Sequence, residues 1–139
     1  MGRIAMLIWV LLIAVVVVLG YIRLAPSEVT EWHVAPVGDS DADTRGSVLR
    51  VLQAGPEALK QFDEVARADP GTRVLAGSLD QGMITYITRS KVFGFPDYTT
   101  AQQQGEILRI YARLRFGRSD LGVNRARVEA WIAQMPSGG

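Results

Sequence analysis

The run Ile4 to Ile22, IAMLIWVLLIAVVVVLGYI, holds nineteen residues without a charge, and no other feature restricts the fold so strongly. At 1.5 Å rise per residue a helix of that length reaches about 28 Å, close to the hydrocarbon thickness of a bilayer. The valines Val15 to Val18 are mediocre helix formers in water. In lipid the backbone has no other bonding partner, so a helix is the state left open. Trp9 and Tyr21 lie toward the two ends of the run, and Tyr21 suits an interfacial position. A cleaved leader has a shorter apolar core and small residues before the cut. Val18-Leu19-Gly20 matches that pattern poorly, and Arg23 and Pro26 oppose cleavage after Ala25. The run therefore reads as a retained anchor over residues 1–23, in contact with lipid through residues 4–22.

Charge sets the expected orientation. Arg3 and the α-amino group precede the run; Arg23 alone follows it closely, ahead of Glu28, Glu31, Asp39, Asp41 and Asp43. Positive charge stays on the cytoplasmic side and acidic residues count for little, which puts residues 24–139 outside. In a bacterium that describes a single-pass inner-membrane protein with its C-terminal domain in the periplasm. The absence of cysteine excludes a lipoprotein anchor, disulfides and thiol chemistry. A net charge of +1 on an exported chain of 139 residues argues against nucleic acid as a partner and leaves room for one domain.

Residues 24–46 read as a stalk and acidic loop, and residues 47–139 as the exported domain. Val48 to Leu52 is a short apolar strand pattern. Gly55-Pro56 opens a helix with Leu59, Phe62, Val65 and Ala66 on one face, and Asp69-Pro70-Gly71 ends it. Thr72 to Leu79 and Met83 to Lys91 read as strands joined by the turn Asp80-Gln81-Gly82. Gly94 to Gly105 is a loop, or a strand bent around Pro96. Leu108, Ile110, Ala112, Leu114 and Phe116 then share one strand face, with Arg109, Tyr111, Arg113 and Arg115 on the other. A helix from about Asp120 to Gln134 closes the chain. The order predicts an α+β fold: an antiparallel sheet of about four strands with two helices on one face, preceded by one N-terminal transmembrane helix.

Between the last strand and the last helix stands GRSDLG, residues 117–122. Gly117 lets the backbone turn, and Ser119 or Asp120 can cap the helix. A helix N-terminus beside Arg115, Arg118 and Arg125 could hold an anion, but Asp120 already sits at the positive end and repels one. The stretch also lacks the phosphate-loop Gly-Lys pair and misses the nucleophile-elbow spacing by one residue. It reads first as a structural corner, and second as a contact surface through Arg115, Arg118, Ser119, Asp120 and Arg125.

GRSDLGVNRARVEAW, together with TYITRSKVFGFPDYTT and Trp32-His33-Val34-Ala35-Pro36, resembles the bacterial family known as DUF1499. The resemblance covers most of residues 28–135 and is strongest over Arg118 to Arg127, where Ser-Asp-Leu-Gly-Val-Asn is specific to it. It implies a leading hydrophobic segment and a small exported domain. It brings no activity and no catalytic residues.

Other candidates are thinner. His33 is the sole histidine, so a common zinc site is not available and no cofactor is expected. With Asp39 and a serine it could form a hydrolytic triad, but no spacing singles out the serine. Asp39, Asp41 and Asp43 match the start of a calcium loop, yet Thr44 and Arg50 stand where Gly and Glu belong. The arginine stripe on Arg109 to Arg115 is explained by pairing with acidic neighbours. The aromatic stretch Phe93 to Tyr98 either folds back over the sheet or exposes a recognition edge through Phe95 and Tyr98. Acidic side chains outnumber basic ones ten to five in residues 24–80, against four to eight in residues 81–139. Either this asymmetry orients the domain against a partner, or its two ends compensate each other. The expected function is a non-catalytic accessory subunit that binds a protein partner in a larger membrane complex. The alternatives are a small-anion or lipid-headgroup module, and a hydrolase using His33.

Overall fold

The structure is a computed structural model that describes residues 2–91 and 93–136. Met1, Val92 and the tail 137–139, where the expected domain ended, lie outside the described residues. Helix α1 (Arg3–Leu24) is the one helix among them long and apolar enough to cross a bilayer, and none of its most apolar stretch is buried against the rest of the protein. A helix of four residues, α2 (Val29–Trp32), follows.

The strands are β1 (Ala42–Asp43), β2 (Ser47–Gln53), β3 (Thr72–Ser78), β4 (Met83–Arg89), β5 (Pro96–Gln104) and β6 (Ile107–Leu114). They form one antiparallel sheet in the order β1-β2-β6-β5-β4-β3. The sheet thus has six strands, not about four. The first addition is β1, drawn from the acidic loop and paired through Ala42 with Leu49. The second is β5, which lacks apolar alternation because both faces of the sheet are covered at this strand. Its Pro96 stands at the first position, opposite Arg89, where a missing N–H interrupts the ladder least.

Helices α3 (Ala58–Ala68) and α4 (Val123–Gln134) pack on one face, as the order of elements predicts. Val48, Ile84, Tyr86, Ala101, Leu108, Ile110 and Ala112 meet Leu59, Phe62, Ala66, Val128 and Trp131 there. Phe62, Tyr86 and Trp131 form an edge-to-face trio with centroids 5.7–6.4 Å apart, a geometry that adds to simple area burial. The Tyr86 hydroxyl donates to buried Asp63 at 2.7 Å, and Arg67 donates to the same carboxylate at 2.8 Å. Burial, reinforced by Asp63, pushes the Tyr86 phenol well above its ordinary range.

The opposite face is covered by the chain's own residues 25–39. This strap runs from the end of α1 through α2 and across β5, β6 and β4, and it occupies most of the stretch that composition alone reads as a stalk.

Candidate functional site

The strap is bonded where the polar residues of the sheet lie. Trp32 stacks on Tyr98 with centroids 4.0 Å apart and planes 12° from parallel. Arg115 donates to the Tyr98 hydroxyl at 3.0 Å and to the Pro26 carbonyl at 2.9 Å. Because Arg115 can only donate, the Tyr98 oxygen accepts there and is left to donate to Ser27 Oγ, 2.6 Å away. Tyr98 is wholly buried because it lies within β5, paired with Ile87 and Arg113, so this end of the Phe93 to Tyr98 stretch is a strand of the sheet and neither folds back over it nor exposes an edge. Phe95 is half-buried at the mouth of a neighbouring cavity.

Beneath Trp32 a line of donors and acceptors crosses three strands. Arg113 donates to the Trp32 carbonyl, and at 2.8 Å to Thr100 Oγ1. Thr100 Oγ1 lies 2.8 Å from Thr85 Oγ1, and Thr85 Oγ1 lies 2.7 Å from His33 Nδ1. Arg113 donates to Thr100 Oγ1, and the single Thr100 proton is shared between the Trp32 carbonyl at 3.4 Å and Thr85 Oγ1. The sense of the Thr85–His33 bond depends on the ring tautomer. Desolvation, then the nearby Arg113 charge, hold the His33 ring below its usual 6.5. Both favour the neutral ring.

Arg113 is 7% exposed and has no carboxylate partner among the described residues. Burial pulls its guanidinium down to about 10, so it remains a cation at neutral pH. Its charge is met by carbonyl and hydroxyl oxygens and by the faces of Trp32 and Tyr111, at 5.5 and 5.0 Å from the ring centroids. Neighbouring acids do not account for this part of the stripe. They do account for Arg109, which lies 3.3 Å from Asp39 and 2.9 Å from the Gly38 carbonyl.

The rest of the acidic run is also spent internally. Arg50 reaches from β2 to Asp43 at 2.6 Å and to Glu129 of α4 at 2.9 Å. Arg125 bridges the same two carboxylates at 3.5 and 3.2 Å. Hydrogen bonds from Arg50 depress both acids below the ordinary carboxylate range. Asp41 accepts the Val51 N–H. Among the described residues no three metal-ligating side chains converge. The charge asymmetry is therefore partly compensated inside the fold.

At the corner, Asp120 accepts the Gly122 N–H at 2.9 Å, the Asn124 N–H at 3.3 Å and the Asn124 side-chain amide at 2.8 Å. It thereby serves the first turn of α4, while Ser119 Oγ accepts the Leu121 N–H. Asn124, wholly buried, passes its carbonyl to Arg127, which also lies 3.4 Å from Asp97. Burial pushes the Asp97 carboxyl up, against the pull of Arg127. Beside this cluster a cavity of about 310 Å³ is lined by Ser90, Phe95, Asp97, Phe116, Ser119 and Val123. A second, of about 740 Å³, continues past Arg89, Lys91 and Arg127.

The expected contact residues do not converge. Arg115 and Tyr98 lie under or beside the strap, Arg125 on the α4–β1 side, and Arg118, Ser119 and Asp120 in the corner turn with Phe95 nearby. His33 faces Thr85, not Asp39, which is paired with Arg109.

A long apolar helix leading into a small α+β domain, with two helices on one sheet face and a strap on the other, defines the structural class. A family described as a protein of unknown function, DUF1499, matches residues 24–135, and the chain belongs to it. The matched range begins where α1 ends, so the strap is part of the family's unit. No curated protein matches the chain.

Proposed function

We propose that this chain is a single-span inner-membrane protein whose periplasmic domain acts without catalysis, as an accessory subunit that binds a protein partner. One observation carries the reading. The groups that could do chemistry are already bonded to one another: half-buried His33 through Nδ1 to Thr85, half-buried Ser27 to Tyr98, and buried Arg113 to Trp32 and Thr100. Thr85, the hydroxyl nearest the imidazole, is wholly buried, so no substrate carbonyl can reach it. Open surface among the described residues includes the corner with the rims of its cavities and, away from it, the groove lined by Asp41, Ala42, Asp43, Arg50 and Glu129.

Cross-linking in intact membranes followed by native electrophoresis in mild detergent tests the partner. A discrete species heavier than the monomer is expected; recovery of monomer alone would overturn the accessory role. Orientation is tested by adding protease to spheroplasts. Digestion of the domain without lysis is the expected result, and protection until lysis would place it in the cytoplasm.

A further inference from the structure

The end of the domain where α1 leaves carries three exposed large apolar side chains, Phe93, Leu121 and Val123, whereas Val37 and Leu79 are exposed elsewhere. The Tyr21 ring of α1 meets Phe116 edge-on at 6.2 Å. The position a Cβ would take on Gly94 lies 3.5 Å from the Arg23 side chain. These contacts fix depth. Tyr21 is seventeen positions beyond Ile4, about 26 Å along a helix, which is the far edge of the hydrocarbon layer when α1 spans it. Whatever touches Tyr21 and Arg23 therefore lies at headgroup level.

Two loop segments meet there, one contributing Ser90, Lys91 and Phe93 to Phe95, the other Phe116 to Val123. Phe93 is 51%, Val123 49% and Leu121 93% exposed. Leu121 is, among the described residues, the one non-glycine with a positive φ, +54°, a conformation that disfavours a leucine. The turn thus strains its backbone while holding a large apolar side chain entirely out of the protein. Basic residues frame the patch: Arg23, Arg45, Lys91 and Arg118 are exposed. The two local acids are occupied, Asp97 with Arg127 and Asp120 with the N–H groups of α4. Apolar side chains at the centre and cations around them match the acyl boundary and anionic headgroups of a bilayer.

We infer that this corner seats in the bilayer, with Leu121 and Phe93 in the acyl–headgroup boundary and Arg23, Arg45, Lys91 and Arg118 on anionic lipid. The inference rests on the single-span reading of α1. It makes the corner a second lipid contact that holds the domain down on the membrane. The accessory partner is then met elsewhere on the domain.

The native chain has no cysteine, so single probes can be placed cleanly in the full-length protein. An environment-sensitive fluorophore is attached to Leu121→Cys, Phe93→Cys, Val16→Cys in mid-α1, or Lys60→Cys. Lys60 is exposed near the start of α3, at the end of the sheet away from α1. Each variant is reconstituted in nanodiscs containing phosphatidylglycerol. Expected are deep quenching at Val16 by chain-labelled lipid, shallow quenching at Leu121 and Phe93 by headgroup-labelled lipid, and a several-fold loss of acrylamide quenching at the last two relative to Lys60. Acrylamide access at Leu121 and Phe93 equal to that at Lys60, with Val16 still deep, overturns the seating and leaves the tether standing. Water access at Val16 removes both. Protection of Leu121 in native membranes but not in pure-lipid discs assigns the patch to a protein and overturns the lipid contact.

Discussion

Leu121 carries strain that a single substitution can release. A left-handed backbone disfavours leucine by about 1 kcal/mol, and asparagine tolerates it better. Leu121→Asn should therefore raise unfolding stability in detergent by about 0.5–1 kcal/mol; an unchanged or lower denaturation midpoint would show the turn to be relaxed. His33 gives a pH signature. Its folded pKa lies below the unfolded 6.5, so the unfolded chain binds the proton more readily. The stability it contributes is complete above that value and is lost as pH falls through 6.5 toward the folded pKa. The denaturation midpoint should drop as pH falls below 6.5, and His33→Gln should flatten that part of the curve. These residues differ in how readable they were. His33 stands out by residue type and Asp120 by its position ahead of α4, although the N-cap itself is Gly122 and Asp120 serves the turn from two residues before it. The partners of Arg113 do not, because Thr85, Thr100 and the Trp32 carbonyl are ordinary groups until the sheet order brings them together.

Elements show the same division. The strands β2, β4 and β6 and helix α3 follow from apolar periodicity, since one face of each meets the core, whereas α4 carries little of it and buries Asn124 beside Val128 and Trp131. β5 escapes that logic, because Thr100 and Gln103 find hydrogen-bond partners inside a sheet covered on both sides, while Thr99 Oγ1 is buried with no partner among the described residues. The strap escapes too: two prolines and few apolar residues read as linker, while Trp32 alone hints that something lies beneath it. Gly77 depends on this cover. With φ +92°, a Cβ there would run into the Met83 carbonyl and lie 2.8 Å from His33 Cε1. Gly77→Ala should cost about 2 kcal/mol or more and expose the strap to limited proteolysis; an intact strap at wild-type stability would contradict that geometry. At the other end of the fold, Asp120→Ala removes acceptors for three N–H groups. A loss of about 1–2 kcal/mol is expected in chemical denaturation, with Asp120→Asn falling in between.

The whole molecule divides unevenly between the apolar helix α1 and the domain. Of α1, only Ile22 is buried by the remainder of the protein, so a chain starting at Leu24 should keep the denaturation midpoint of the full-length protein in the same detergent to within about 1 kcal/mol. A much larger loss would mean that α1 is a structural helix of the domain and not a tether. Helix α1 and domain are nonetheless joined in a particular way. The chain leaving α1 does not enter the sheet at an edge but lies across its middle strands, pinned by Ser27, Trp32 and His33. With α1 held in a bilayer as proposed, load pulling the domain away would peel these pins before it could shear any strand, releasing on the order of 5 nm of chain as slack. A fold wired this way has a built-in shock absorber: the first thing to yield under tension is the cover over Arg113, while the hydrogen-bonded ladder is spared.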